Sequence, residues 1–142
     1  MRVFDDYIFK YGLHDCKFRK FVIEEKYIKF YFDKGVYCLD NFGREQHLTE
    51  GCVMKVELEK INDEFGAERF IQILQIFKRR LKEINSHKFL KLMDNNEFVI
   101  VTNFYTFFNN TILIKGFLQN KEYEITVCNV KNITFSFVNE RH

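Results

Sequence analysis

The amino-acid sequence predicts an α+β domain that is mostly β, an antiparallel sheet of short strands, curved or folded into two layers, with one short helix packed on it. Three observations carry this expectation. The first is the stretch 97–130, which reads EFVIVTNFYTFF, Asn109-Asn110, TILIKGFLQ, Asn120-Lys121 and EYEITVCNV. Three β-rich runs separated by two short polar breaks are the pattern of a meander, with Asn supplying turn conformations that β-branched residues resist. The second is the stretch 52–60, where Met54, Val56 and Leu58 alternate with Lys55, Glu57 and Glu59. This is the period of a strand with one solvated face. The third is composition: 18 Phe and 7 Tyr in 142 residues, with no Trp, favour pleated, half-buried surfaces.

Taken in order, residues 2–9 are apolar and aromatic and predict an N-terminal strand that Gly12 ends. Residues 16–23 predict a strand with Phe18 and Val22 on one face. Tyr27–Phe32 alternates Ile28, Phe30 and Phe32 against Tyr27, Lys29 and Tyr31. Asp33-Lys34-Gly35 is a turn in which Gly is free to take positive φ, and residues 36–39 form a short strand. Residues 40–51, polar and holding two glycines, predict a loop. In the next segment Phe70, Leu74, Phe77, Leu81 and Ile84 recur at helical spacing, yet the run FIQILQIF is β-branched and aromatic. Periodicity alone leaves both readings open; a strand over 70–78, able to pair as a hairpin with 52–60, is the one adopted. Residues 86–93 predict the helix, with Ser86 as N-cap and Phe89, Leu90 and Met93 on one face. After the meander, residues 133–138 give a last strand with Ile133, Phe135 and Phe137 together. No linker or repeat interrupts the chain, so residues 1–142 are expected to form one domain.

Several classes of function find no support. The net charge of +2 and pI of about 8.3 fall short of the strongly basic balance of a nucleic-acid-binding domain. No run approaches the ~18 apolar residues of a membrane-crossing helix. Cys16, Cys38, Cys52 and Cys128 include no C-x-x-C pair, and the opening residues lack a secretory apolar core. Free thiols and a cytoplasmic location are therefore expected. No phosphate-binding Gly-rich loop, G-x-S-x-G elbow or H-E-x-x-H helix occurs. No cofactor is implied, and His14, Cys16, Cys38, His47 and Cys52 lack the close ligand pairs of common zinc sites.

The local clusters that remain are few. In His14-Asp15-Cys16 an imidazole lies near a thiol, which is the chemistry of an activated nucleophile. The alternative is a lead into a strand, with His14 and Asp15 bonding a turn and Cys16 entering the core. Lys78-Arg79-Arg80 with Lys82 is the densest basic run, read as a solvated loop or as a phosphate contact. In the meander, alternation puts Phe104 and Phe108 on one face and Tyr105 and Phe107 on the other. Whichever pair faces outward is a candidate contact surface. Tyr105 is the favoured member, because its hydroxyl tolerates water while its ring supplies area.

The run LHDCKFRKFVIEEKYIKFYFDKGVY, with a looser echo in FVIVTNFYTFFNNTILIKG, resembles the opening of small bacterial β-rich proteins that carry His-Asp-Cys or His-Asp-Ser before a strand. Some of these are immunity proteins of polymorphic toxin systems. The resemblance spans about residues 12–39 and implies a non-enzymatic inhibitor that occludes a cognate toxin. It identifies no functional residue. The sequence therefore predicts a protein-binding domain, with Tyr105, Phe107 and His14 as candidate binding residues and a protein partner or a second copy as the ligand. An enzyme or small-ligand pocket near His14 and Cys16, and a weak nucleic-acid site at Lys78–Lys82, are the alternatives.

Overall fold

A computed structural model describes residues 10–59, 66–106 and 109–137. The strands are β1 (Tyr11–Gly12), β2 (Lys17–Phe18), β3 (Lys20–Ile23), β4 (Tyr27–Phe32), β5 (Tyr37–Leu39), β6 (Glu45–Leu48), β7 (Cys52–Leu58), β8 (Ile71–Phe77) and β9 (Arg80–Ile84). A helix α1 (Ser86–Leu92) follows, and then β10 (Phe98–Thr106), β11 (Thr111–Leu118), β12 (Lys121–Val127) and β13 (Val130–Phe137). A 3-10 turn, Gly66–Phe70, leads into β8. The strands build three antiparallel sheets, ordered β2-β10-β11-β12-β8-β9, β13-β7-β4-β3 and β1-β5-β6. The fold is thus α+β and mostly β, with one short helix, as the composition and alternation indicate.

The two larger sheets enclose one apolar cluster. Ile28, Phe30 and Phe32 of β4 and Met54, Val56 and Leu58 of β7 project into it, while Lys29, Lys55 and Glu57 sit on the other face. From the six-stranded sheet come Phe98, Ile114, Tyr123, Ile125 and Ile73. Ring contacts tie the layers together. Phe18 of one sheet meets Phe30 of the other at 5.2 Å between centroids and its own neighbour Phe98 at 5.0 Å. Helix α1 is two turns long, too short to persist in water alone. It is held by Phe89, whose ring lies 5.0 Å from Tyr123, 6.0 Å from Phe98 and 6.2 Å from Phe21.

The meander forms in its predicted order, β10 on β11 and β11 on β12. The turn between β11 and β12 is Gln119-Asn120, with φ of 52° and 68°, so Lys121 already belongs to β12. Two successive left-handed residues match the twist of a two-residue hairpin. The register of β10 on β11 slips between Ile100 and Thr102, leaving Val101 as a bulge. Opposite it, Gly116 has no side chain because a Cβ there would collide with the Val99 carbonyl oxygen and the Phe98 ring.

Several sequence expectations need correction. Residues 16–23 are not one strand. The chain leaves the six-stranded sheet after Phe18 and joins the four-stranded sheet at Lys20, so Phe18 and Val22 do not share a face. The stretch 40–51 contains β6, which pairs with β5 through backbone alone while its four side chains stay exposed. The strand expected over 70–78 is β8, but its neighbours are β12 and β9, not the strand at 52–58. The basic run is a turn at Lys78-Arg79 followed by β9, not a loop. The helix N-cap is Asn85, whose Oδ1 accepts from the Lys88 N–H at 2.8 Å; Ser86 is the first helical residue and is buried. The last strand starts at Val130. Residues 2–9 lie outside the described residues.

Leu58 and Phe135 are both buried, facing the core from β7 and β13. Truncating either to Ala is expected to lower unfolding free energy by about 2–5 kcal/mol in urea melts. Lys55, whose ammonium sits 3.9 Å from the Tyr27 ring centroid, is worth about 0.5–1 kcal/mol. Gly116→Ala is expected to cost about 1–3 kcal/mol through overpacking alone.

Candidate functional site

The His14-Asp15-Cys16 cluster is a tight turn, not a strand. Asp15 takes the left-handed conformation (φ 64°), which a short polar side chain tolerates better than most. Its N–H donates to the Ile100 carbonyl at 2.8 Å, and the Ile100 N–H donates to the Cys16 carbonyl at 2.9 Å. The turn is thereby clamped onto β10 and sets β2 beside it. His14 and Asp15 are solvated, 55% and 63% exposed, while Cys16 is buried. His14 Nδ1 lies 3.5 Å from an Asp15 carboxylate oxygen and 3.6 Å from one of Glu45. The thiol turns away and donates to the Gly12 carbonyl at 3.4 Å. Burial pushes its pKa up to about 12. A nucleophilic cysteine needs the opposite, an electropositive setting that favours the thiolate. Cys16 is a core residue.

The other ligand-type residues are dispersed. Cys38 and His47 are cross-strand partners in β5 and β6, while Cys52 opens β7. Among the described residues no group of three His, Cys, Asp or Glu side chains is placed to hold a metal ion. The four cysteines are unpaired. Open clefts of about 420 Å³ and 300 Å³ flank α1 at Phe21 and Leu90, and one of about 460 Å³ lies beside Tyr31, Cys52 and Phe137. Neither His14 nor Cys16 lines any of these three.

The meander presents a different feature. Past the bulge at Val101 the facing of β10 reverses, so Tyr105 points inward and Phe104 outward. Tyr105, favoured from sequence as the outward contact, pairs with buried Ile112 and packs against the core cluster. Its hydroxyl donates to Asn110 Oδ1 at 3.1 Å, and partial burial raises its pKa. Phe104 is 53% exposed on the opposite face. Phe107 and Phe108 lie outside the described residues.

Phe104 belongs to an apolar outer face of the six-stranded sheet. Cross-strand register carries one row from Val99 through Phe117, Glu122 and Ile76 to Leu81, and another from Phe104 through Leu113 to Thr126. Phe117 is 42% and Leu81 64% exposed. The polar members of the face include Lys115 and Glu124, paired at 3.6 Å. Val101, pushed out by the bulge, adds to it. The sequence did carry one signal of this face: Val99, Val101, Leu113 and Phe117 occupy positions between the buried residues of the same strands, so the outer faces of β10 and β11 are partly apolar, with Thr102 and Lys115 among them. In a sheet with a single core face those positions would be polar.

At the edge of this sheet, the β8–β9 hairpin projects Phe77, Lys78, Arg79 and Arg80 around an open concavity of about 530 Å³. Lys78 takes φ 57° in the turn, with its ammonium 5.5 Å from the Phe77 ring centroid.

The thiol environment has a measurable consequence. Cys16 and Cys52 have folded-state pKa values of about 12 and about 11, both raised by burial, against an ordinary value near 9.0. The unfolded chain therefore loses these protons first, and their stabilisation, complete below pH 9, fades as pH rises toward 11–12. Urea midpoints are expected to fall from pH 8 to pH 10.5, and to fall less in Cys16→Ala. A thiol reagent is expected to count four cysteines in denaturant but to react slowly with Cys16 in the folded chain.

Comparison with protein-family models, with curated proteins and with solved structures finds no match to this chain.

Proposed function

We propose that this protein is a non-enzymatic protein-binding domain whose contact surface is the outer face of the six-stranded sheet. The observation that carries the reading is the apolar character of that face, centred on Phe104, Phe117 and Val101. The Lys115–Glu124 ion pair lies between the Phe104 row and the Phe117 row, and exposed apolar side chains interleaved with polar ones in this way are a feature of association sites. Aromatic rings held rigidly by a sheet supply contact area at low entropic cost.

The resemblance of the run 12–39 to immunity-type proteins supports occlusion of a partner as the mode of action. Such a role needs a stable scaffold and a complementary surface, and the buried, protonated state of Cys16 fits a protein that performs no thiol chemistry. Four unpaired cysteines fit a reducing, cytoplasmic setting. Among the described residues no helix is long and apolar enough to cross a membrane.

The test is affinity capture from the native cells with wild-type bait and with a Phe104→Ala, Phe117→Ala double variant, followed by mass spectrometry. Sedimentation velocity runs in parallel to detect self-association. The double variant is expected to lose its specific partner, or its dimer, while its melting temperature stays within a few degrees of wild type, since truncations at exposed sites change stability by about 0.5 kcal/mol or less. Recovery of the same partners by both baits would overturn the assignment of the outer face.

A further inference from the structure

The outer face ends at β9, and this edge has properties of its own. Among the described residues no strand pairs with its far side. Arg80, Leu81, Lys82 and Glu83 are all exposed. The opposite end of the same sheet, β2, is only two residues long. Exposed edges are usually blunted by covering elements, bulges or short length. Among the described residues β9 has none of the three; it has charge instead.

That charge is unusually concentrated. Lys78, Arg79, Arg80 and Lys82 lie within five residues. Lys78 is over the Phe77 ring, while no carboxylate among the described residues lies within ion-pairing distance of any of the four. Without these four cations the chain's remaining basic residues would be outnumbered by its 20 acidic ones. Four cations thus share one hairpin with a single acidic residue, Glu83, beside a strand edge that no strand among the described residues covers.

The register fixes what such an edge can read. Phe77 and Arg80 close the two-residue turn as partners, and the pairs continue Ile76 with Leu81, Gln75 with Lys82 and Leu74 with Glu83. In an antiparallel ladder the closing pair exchanges both hydrogen bonds and the next does not. The backbone groups of Arg80 and Lys82 therefore point to β8, and those of Leu81 and Glu83 point outward, where an added strand would bond them. Side chains alternate in the same way. Arg80 and Lys82 lie on the face of Phe77, and Leu81 and Glu83 on the face of Ile76 and Phe117.

We propose that β9 is a docking edge for an extended acidic segment of the partner protein, taken up as a seventh strand of the six-stranded sheet. This rests on the protein-binding reading above and specifies the partner. Backbone hydrogen bonds to Leu81 and Glu83 supply the affinity, and alternate side chains supply the selectivity. The segment places acidic residues opposite Arg80 and Lys82 and an apolar residue opposite Leu81. Opposite charges facing one another across a ladder are favourable and like charges are not. Acidic–apolar–acidic alternation is accordingly the recognised pattern, and a polyanion without a β-strand backbone reproduces only its charge.

The test uses fluorescence anisotropy of the full chain with a labelled ten-residue peptide of alternating Glu and Val. Its controls are a peptide of the same composition in two blocks and an oligothymidylate of equal charge. The alternating peptide is expected to bind more tightly than either control. Arg80→Glu with Lys82→Glu is expected to weaken it by about tenfold or more, the equivalent of two reversed cross-strand pairs. Leu81→Pro removes an outward N–H without breaking the β8–β9 ladder, and is expected to abolish binding. Circular dichroism checks that this variant folds, and the charge-reversal pair decides the matter if it does not. Equal binding of all three probes would overturn the proposal in favour of a general polyanion site of the nucleic-acid kind, and no binding of the alternating peptide would overturn it outright. The Phe104→Ala, Phe117→Ala variant is expected to keep the peptide, since those residues lie on β10 and β11. Loss of native partner capture in that variant, with no peptide binding by wild type, would retire the edge and keep the face; the converse would retire the face and keep the edge.

Discussion

The fold depends on one packing constraint: ring-to-ring contact between two sheets whose strands, among the described residues, do not pair with one another. Phe18 is the joint. It belongs by backbone to the six-stranded sheet, where it pairs with Phe98, and by side chain to the four-stranded sheet, where it meets Phe30 and Phe32. Phe89 repeats the arrangement from the helix, reaching Phe21 on one side and Phe98 and Tyr123 on the other. Each buried phenylalanine contributes about 1.5–3 kcal/mol by removal from water, and edge-to-face geometry adds about 0.5–1.5 kcal/mol per pair. A seven-residue helix and a two-residue strand have almost no stability of their own. They are ordered because their rings are needed in the core.

How much of this was legible depended on whether a residue's position is recorded in its polarity. In β4 and β7 it is, since alternation writes the buried face into the chain, and strand, facing and core residues follow. In β6 it is not: Glu45–Leu48 are all exposed, so the strand exists only as backbone pairing and leaves no period. β9 is similar, with one buried residue at its end, and its basic character reads as a loop. Tyr105 shows a subtler limit. Alternation carried on from Phe98 and Ile100 would bury Phe104 and expose Tyr105. A one-residue bulge at Val101 inverts everything beyond it, and nothing in the local residue types announces the bulge except Gly116 on the neighbouring strand. Of the two readings open for His14-Asp15-Cys16, the structure has the turn that delivers Cys16 to the core; the hydrogen bonds that fix it run to Ile100, far along the chain, and leave no local trace.

The chain contains no proline, which keeps it free of slow prolyl isomerisation and also removes one guard for its sheet edges. Positive charge takes over: Lys20 is exposed on β3, Lys131 on β13, and Arg80 and Lys82 on β9. A charged edge discourages pairing with an identical copy, because the same cations would face one another. It leaves pairing with an oppositely charged strand open. Protection against self-aggregation and selectivity for a partner are thus two effects of one distribution of charge, and the apolar outer face lies directly beside it.

The pairing order also bears on how the chain folds as it is made. Phe18 waits for Phe98, and β7 waits for β13 on its far side. Loop closure over such separations is slow compared with local hairpin formation. During vectorial synthesis the segment through β7 emerges with Phe18, Phe21, Phe30 and Phe32; Phe21 gains the Phe89 ring only when α1 emerges, and Phe18 gains Phe98 only when β10 does. The meander, by contrast, can close at once by adjacent hairpins. The N-terminal half is therefore the part of the nascent chain whose rings stay uncovered longest, and the C-terminal half supplies the surface that finally covers them.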